Sequence, residues 1–398
     1  MKGSRVVLVI IAAVLLTSGL TGTAKAFHEG GVGHCDGCHT IHGSADNSLG
    51  AGVSPNATLL KGSDASSTCL NCHAGAGAYH IASDTLSNTN AGGDFGWIKT
   101  DYTATLDAGP VLFEGDNNGH NIVALDFGFA ADLRSSNTQA PGGTYSSNLL
   151  GCTSCHDAHG QVHGGTKSGS PPISGSGSYG DPDPTDGSIL GNFRLLGDSD
   201  YEAGGAADGY NFSNDAPIAV TTNGSGSSPN SSFGADTAYG SGMSEWCGNC
   251  HDGFTGQTTK HVAGAATGLL NGIGTNYGCY IKTGDWDCSQ AATSYDELIP
   301  FERGVSVARS ALSVADTSAP GASAQVMCLT CHRAHASANA NAGRWDLSVE
   351  FIAESAALKA VDLPGTEVVY YDSTGRVDVA VRYGPWQRSL CNKCHVQD

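Results

Sequence analysis

Long apolar runs are scarce in this chain. After an N-terminal stretch at 6–16, no segment approaches the ~20 consecutive apolar residues that a membrane-spanning helix needs, so insertion into a bilayer is not expected. Basic residues are scarce as well: Lys and Arg total 19 against 38 Asp and Glu, for a formal net charge of −19. So acidic a surface is repelled by phosphate backbones and anionic lipid, which excludes nucleic acid and acidic membranes as partners. Methionine occurs only at Met1, Met243 and Met327. Apolar side chains make up 39% of the residues but are diluted by 56 glycines, which gather with Ser, Asn, Asp and Pro in stretches such as 164–187 and 221–234. These stretches favour turns and irregular backbone and offer little side-chain surface to a core. Side chains alone are too weakly apolar to offset the entropy of ordering a chain of this length, and something else has to fill the interior.

The N-terminus has the three parts of a cleavable export signal. Lys2 and Arg5 precede the apolar stretch, and small residues ending in Ala24-Lys25-Ala26 follow it. Residues 1–26 are therefore predicted to be removed, leaving 27–398 as a single exported, soluble domain. Loss of Lys2, Arg5 and Lys25 takes the formal charge from −19 to −22. No cysteine follows the cut to carry a lipid anchor.

What the chain does have is cysteine in a fixed pattern. Twelve of its 14 cysteines form six Cys-x-x-Cys pairs, each followed at once by His: Cys35, Cys38, His39; Cys69, Cys72, His73; Cys152, Cys155, His156; Cys247, Cys250, His251; Cys328, Cys331, His332; Cys391, Cys394, His395. This spacing attaches c-type haem, because two thiols reach the two vinyl groups of one porphyrin while the next imidazole reaches its iron from the proximal side. A zinc ribbon also uses paired Cys-x-x-Cys but has no need of a His after every pair. Six haem c groups are therefore expected. The two remaining cysteines, Cys279 and Cys288, bracket a Gly-containing turn and are expected to form a disulfide in an oxidising compartment.

Each iron needs a sixth ligand. Nine histidines remain after the proximal six: His28, His34, His42, His80, His120, His159, His163, His261 and His335. Three methionines, one of them in the leader, cannot cap six irons, so bis-histidine ligation is expected throughout, with low potentials and closed coordination spheres. Placement favours His28, His42, His80, His120, His159, His261 and His335 as distal candidates, and leaves His34 and His163 as surface residues. His42, His159 and His335 each stand three residues after a proximal ligand. If the motif turn is helical, such residues share a face, so the second imidazole cannot reach the opposite side of its own iron and must serve another haem packed close by. A chain of near-contact haems follows, which is the geometry of a conductor.

Successive motifs begin 34, 83, 95, 81 and 63 residues apart, so haem-binding turns recur throughout with no haem-free domain. The expected fold is a mostly irregular, coil-rich multihaem cytochrome with few short helices, 3-10 turns and a small C-terminal β-hairpin, its haem stack serving as the core. A helix is predicted over 346–361, and a hairpin of 367–371 with 377–383 around the turn 372–375.

The segments Phe27-His28, Gly92-Gly-Asp-Phe-Gly-Trp97, Gly119-His-Asn-Ile-Val-Ala124, Ala140-Pro-Gly-Gly-Thr-Tyr145, Gly242-Met-Ser-Glu-Trp-Cys247 and Leu390-Cys-Asn-Lys-Cys-His395, with the clusters 35–42 and 328–337, carry a resemblance over the whole mature chain. It resembles the hexahaem outer-surface c-type cytochromes of metal-reducing bacteria that polymerise into extracellular conducting filaments. The resemblance implies a coil-rich fold, bis-His haems alternating between stacked and T-shaped contacts, and subunits joined head to tail. It also implies that His42 ligates the haem held by Cys328, Cys331 and His332 of the neighbouring subunit. The Cys279/Cys288 pair, His34 and His163 depart from that family.

Three functions stay open at this point. A polymerised conduit would carry electrons outward to other cytochromes or metal oxides at the cell surface. A monomeric carrier would work in the periplasm or medium. A reductase would need an iron with an open site, against which stand the absence of any Cys-x-x-Cys-Lys variant and distal histidines outnumbering haems. An electron-transfer protein rather than an enzyme is therefore expected.

Overall fold

The computed structural model describes residues 35–40, 59–76, 80–86, 92–132, 138–158, 192–204, 209–221, 237–257, 262–264, 279, 287–289, 300–304, 308–313, 323–349, 351, 354–360, 370–372 and 375–377. Among these, regular structure is sparse, as the glycine content requires. Helices α1 (Cys35–Cys38), α2 (Ala65–His73), α3 (Met243–Cys247) and α4 (Cys328–Cys331) are short and sit on Cys-x-x-Cys segments. The strands pair only in antiparallel twos: β1 (Tyr102–Leu106) with β2 (Gly109–Phe113), β3 (Ile218–Thr221) with β4 (Thr237–Ser241), β5 (Gly256–Gln257) with β6 (Val262–Ala263), and β7 (Tyr370–Asp372) with β8 (Gly375–Val377). Single 3-10 turns and isolated bridges join them.

The motif turn has its own local logic. In three motifs the histidine N–H donates to the carbonyl of the first cysteine: His156 to Cys152 at 2.9 Å, His251 to Cys247 at 3.0 Å and His332 to Cys328 at 3.0 Å. That bond closes one helical turn, which sets the imidazole over the first cysteine. The turn then stops. His332 is already extended at φ −116, ψ 160, and the chain leaves through a bridge rather than continuing as a helix.

This exit is repeated at the odd-numbered motifs. His39 bridges to Leu60, His156 to Leu196 and His332 to Gly343, all antiparallel. In each case the residue after His donates its N–H to the partner segment: Thr40 to Leu59, Asp157 to Leu195 and Arg333 to Ala342. The partner segment returns a bond to the second cysteine: Lys61 to Cys38, Gly197 to Cys155 and Arg344 to Cys331. Leu59, Leu195 and Ala342 all have left-handed backbone, with φ of 56, 57 and 54. A non-glycine residue is rarely held there, so three occurrences at equivalent positions mark one clasp used three times.

Among the described residues, apolar side chains form small clusters. One gathers Leu70, Phe95, Trp97, Tyr102, Ile122 and Phe129; another joins Phe193, Tyr239, Met243 and Met327; a third holds Tyr145, Tyr201 and Phe212. Met243 and Met327 are therefore packing residues, 4% and 1% exposed.

Two elements near the C-terminus differ from the sequence expectation. The helix predicted over 346–361 is not formed in its described part: Ser348 turns its N–H and hydroxyl onto Asp346 Oδ1 at 2.9 and 2.6 Å, and what is helical there is 3-10, at Glu354 and at Ala356–Lys359. A side-chain acceptor two residues back competes with the helix for the backbone donor. The hairpin forms with tighter closure than predicted, since Asp372 and Gly375 belong to the ladder as a facing pair; 367–369 and 378–383 lie outside the described residues.

A disulfide joins Cys279 and Cys288. Replacing both by Ser is expected to leave the visible haem spectrum unchanged and to cost at most about 2–4 kcal/mol in chemical denaturation; loss of a haem from that variant would contradict the assignment.

Candidate functional site

The motif cysteines neighbour one another in chain order. Cys69 lies beside Cys152, Cys247 lies beside Cys328, and Cys155 is near Cys250. The second motif thus adjoins the third and the fourth adjoins the fifth, with the third and fourth near each other. Two of these junctions are built alike. Ser66, three residues before Cys69, accepts the N–H of Cys152 at 3.0 Å; Ser244, three residues before Cys247, accepts the N–H of Cys328 at 3.1 Å. Each hydroxyl ties the turn of an even-numbered motif to the start of the next odd one.

The imidazoles are oriented by backbone carbonyls. Nδ1 lies 2.9 Å from Arg194 O in His156, 2.8 Å from Pro141 O in His251, 2.9 Å from Asn341 O in His332 and 2.7 Å from Ala334 O in His120. A carbonyl can only accept, so Nδ1 carries the proton and the Nε2 lone pair is left for a metal. Arg194 and Asn341 are the first residues of the left-handed pairs described above, with φ of 50 and 58; the clasp both ends the motif and aims its ring.

His120 and His251 face each other with ring centroids 6.0 Å apart and planes inclined by 42°. Metal–imidazole bonds of about 2.0–2.1 Å on opposite sides of one iron put ring centroids about 6 Å apart. The gap therefore fits a bis-imidazole iron. His120 comes from far along the chain: the N–H of His120 donates to His335 O at 3.0 Å and that of Ser337 to Asn118 O at 3.0 Å, so two segments lying side by side present His120 and His335 together. His335 stacks on Phe95, centroids 4.6 Å apart, and its N–H donates to Gly92 O at 2.7 Å. Gly93, at φ +93, lets the backbone come so near that a Cβ would strike Ala336 O.

Withdrawal from water, then the neighbouring His251 ring, pushes His120 down to about 4. Withdrawal from water, then His156 and His120, pushes His335 down to about 3, and His156 is lowered chiefly by the same desolvation. All three are held neutral, the form that binds iron. His335, three residues after His332, thus stands close enough to His156 of the third motif and to His120 to be lowered by both. The shared helix face considered for the three-residue spacing is not formed here, because the chain is extended at His332.

His73 ends α2, and His80 lies near Gly75. Cys35 and Cys38 bound α1, with Cys38 exposed, and Cys72 is exposed. His28, His34, His42, His159, His163, His261, Cys391, Cys394 and His395 lie outside the described residues. Among the described residues no group of three or more His, Cys, Asp or Glu could hold a bare metal ion, so the cysteine pairs do not meet as zinc-ribbon tetrads. No described helix is long and apolar enough to cross a membrane.

Cysteine pairs for porphyrin attachment, neutral imidazoles with Nε2 free, and a coil-rich frame define a multihaem c-type cytochrome. The chain belongs to the OmcS family of these proteins: it is 39% identical, over the full length of both, to the c-type cytochrome OmcS of Geobacter sulfurreducens. It is also similar to the outer membrane cytochrome S filament from that organism, with a TM-score of 0.72 and 36% identity over 94% of this chain and all of that one. A second solved structure, of OmcS nanowires, matches with a TM-score of 0.71 and 35% identity over the same shares. No protein-family model matches.

The carbonyl clasps and the serine ties were not anticipated from sequence. Ser at the third position before the cysteine pair, in Ser66-Ser-Thr-Cys69 and Ser244-Glu-Trp-Cys247, is the signal that could have found the ties. Replacing His120 by Ala is expected to turn one haem of the oxidised protein high-spin and able to bind carbon monoxide after reduction, with the others unchanged. An all-low-spin electron paramagnetic resonance spectrum of that variant would contradict the pairing with His251.

Proposed function

We propose that this chain carries electrons outside the cell through six covalently attached haem c groups, as a head-to-tail polymer. The observation that carries the reading is the facing pair His120 and His251, ring centroids 6.0 Å apart, each with Nδ1 held by a backbone carbonyl so that its Nε2 lone pair is left free. Haem c, when bound, supplies an iron that changes valence by one electron. The protein's own residues do the positioning. The twelve motif cysteines fasten the porphyrins, and the Cys69/Cys152, Cys155/Cys250 and Cys247/Cys328 placements keep successive attachment points near one another.

We assign His251 and His120 to the iron of the fourth motif, and His156 and His335 to that of the third. His39, His73, His332 and His395 are the proximal ligands of the others. His28, His42, His80, His159 and His261 are the candidates for the remaining distal positions. Imidazoles on both faces leave no coordination position for a substrate, which argues for electron transfer over enzymatic turnover. Other cytochromes and metal oxides fit as donors and acceptors, reached by outer-sphere transfer. The mature protein would be 27–398, a single unit at the cell surface; the share of the chain left uncovered by the solved filament is about the size of the predicted leader.

Polymerisation is supported by the filament structures of the OmcS relative. A contact in which one surface of each protomer meets a different surface of the next grows into a filament unless it closes as a ring. An imidazole–iron bond from His42 to the haem at Cys328 and Cys331 of the next subunit would fix the register of that contact. Changing His42 to Ala is expected to abolish or shorten filaments in electron micrographs and leave one iron six-coordination-deficient. Normal filaments with six low-spin haems would place His42 on a haem of its own chain.

A further inference from the structure

Glu302 is fully buried, at 0% exposure, and belongs to no haem motif. Asp94 is equally buried, but its oxygens are engaged by the N–H groups of Ser83 and Gly96 and by the Ser83 hydroxyl. Glu302 is different. Its Oε1 accepts the N–H of Met243 at 2.6 Å, while Oε2 is buried with no hydrogen-bond partner. Its backbone is held on both sides, bridging in parallel to Tyr239 of β4 and antiparallel to Gln325, so the carboxyl group is fixed in the interior.

The groups around it come from each element packed there. α3 brings Glu245 and Cys247, α4 brings Cys328, β4 brings Tyr239, and the adjacent Arg303 sets its guanidinium over the Phe301 ring at 4.9 Å. Burial, then the Glu245 carboxylate, push Glu302 up to about 8 against the opposing pull of the Met243 N–H. A carboxylate with half its acceptor capacity unmet in a dry site is costly, so the neutral form is favoured. Cys247 and Cys328, which lie side by side near Glu302, are the attachment points of two successive haems in the reading above.

We propose that Glu302 is a proton-binding site coupled to reduction of the haems attached at Cys247–Cys250 and Cys328–Cys331. One electron from an external donor converts a ferric iron to ferrous, and one proton from water converts the Glu302 carboxylate to the acid; reoxidation returns both. The sign follows from Coulomb's law, because negative charge added nearby favours the protonated carboxyl. Below about pH 8 Glu302 is neutral in both redox states and has no effect. As pH rises through that value, reduction takes up a proton and the potential of the affected haem falls.

The inference rests on the electron-transfer reading, and spectroelectrochemical titration of exported holoprotein separates the two. In wild type, one component of the titration is expected to shift downward above about pH 8, by at most about 59 mV per tenfold fall in proton activity. In Glu302→Gln, whose amide oxygen keeps an acceptor for Met243 N–H, that component becomes flat, while pH dependence from haem propionates stays in both proteins. Equal slopes in the two proteins overturn the proton site and leave electron transfer intact; absence of reversible haem reduction overturns both. Redox-difference infrared spectra of wild type recorded above about pH 8 give an answer that needs no variant: a carboxylic C=O band gained on reduction and shifted in heavy water supports the site, and its absence overturns it.

Discussion

A neutral imidazole has one N–H and one lone pair, and which nitrogen carries which decides whether the ring can bind iron. In this protein a backbone carbonyl takes the Nδ1 proton at His120, His156, His251 and His332, so that each Nε2 keeps its lone pair free. Those carbonyls belong to loops, and a loop can aim a carbonyl only if its own backbone is fixed. The left-handed pairs Arg194–Leu195 and Asn341–Ala342, closed by reciprocal bonds to Cys155 and Cys331, are how coil becomes rigid enough to do so. Left-handed backbone at non-glycine residues costs about 1–2 kcal/mol each, a strain the surrounding bonds must outweigh.

The same parts recur along the chain. The exit clasp appears at His39, His156 and His332, and the serine tie at Ser66 and Ser244. An even motif tied to the following odd one, with their first cysteines side by side, is thus the repeated unit of the described structure. Repetition of a junction gives successive haem attachments the same local relation, which is what a chain of closely spaced electron carriers requires. It also explains why so little regular structure is needed. Among the described residues the apolar clusters around Trp97, Tyr239 and Tyr145 border the motif turns, linked through Leu150 and Trp246.

The covalent half of the site was legible in the sequence because Cys-x-x-Cys-His is a local pattern: attachment and proximal ligation need only one turn of chain. The distal half was legible as a set of candidates but not as pairs. The proposed pairing of His120 with His251 rests on tertiary placement, such as the segment 118–120 lying beside 335–337, a long-range fact without periodicity. The glycine content foretold a coil-rich frame, and the Asp372–Gly375 turn a hairpin. The helix predicted over 346–361 failed on Asp346 and Ser348, whose side-chain bond captures the backbone. Clasps at Leu59, Leu195 and Ala342 were invisible because the sequence carries no glycine where the backbone is left-handed.

A chain with this composition cannot draw enough stability from side-chain burial, and the account makes the attached porphyrins its missing interior. The direct test is circular dichroism over a thermal ramp of the exported chain with all twelve motif cysteines replaced by Ala. The account predicts no cooperative transition and rapid proteolysis, since apolar clusters of this size do not offset the ordering entropy. A cooperative melt from a protease-resistant, haem-free chain would contradict it.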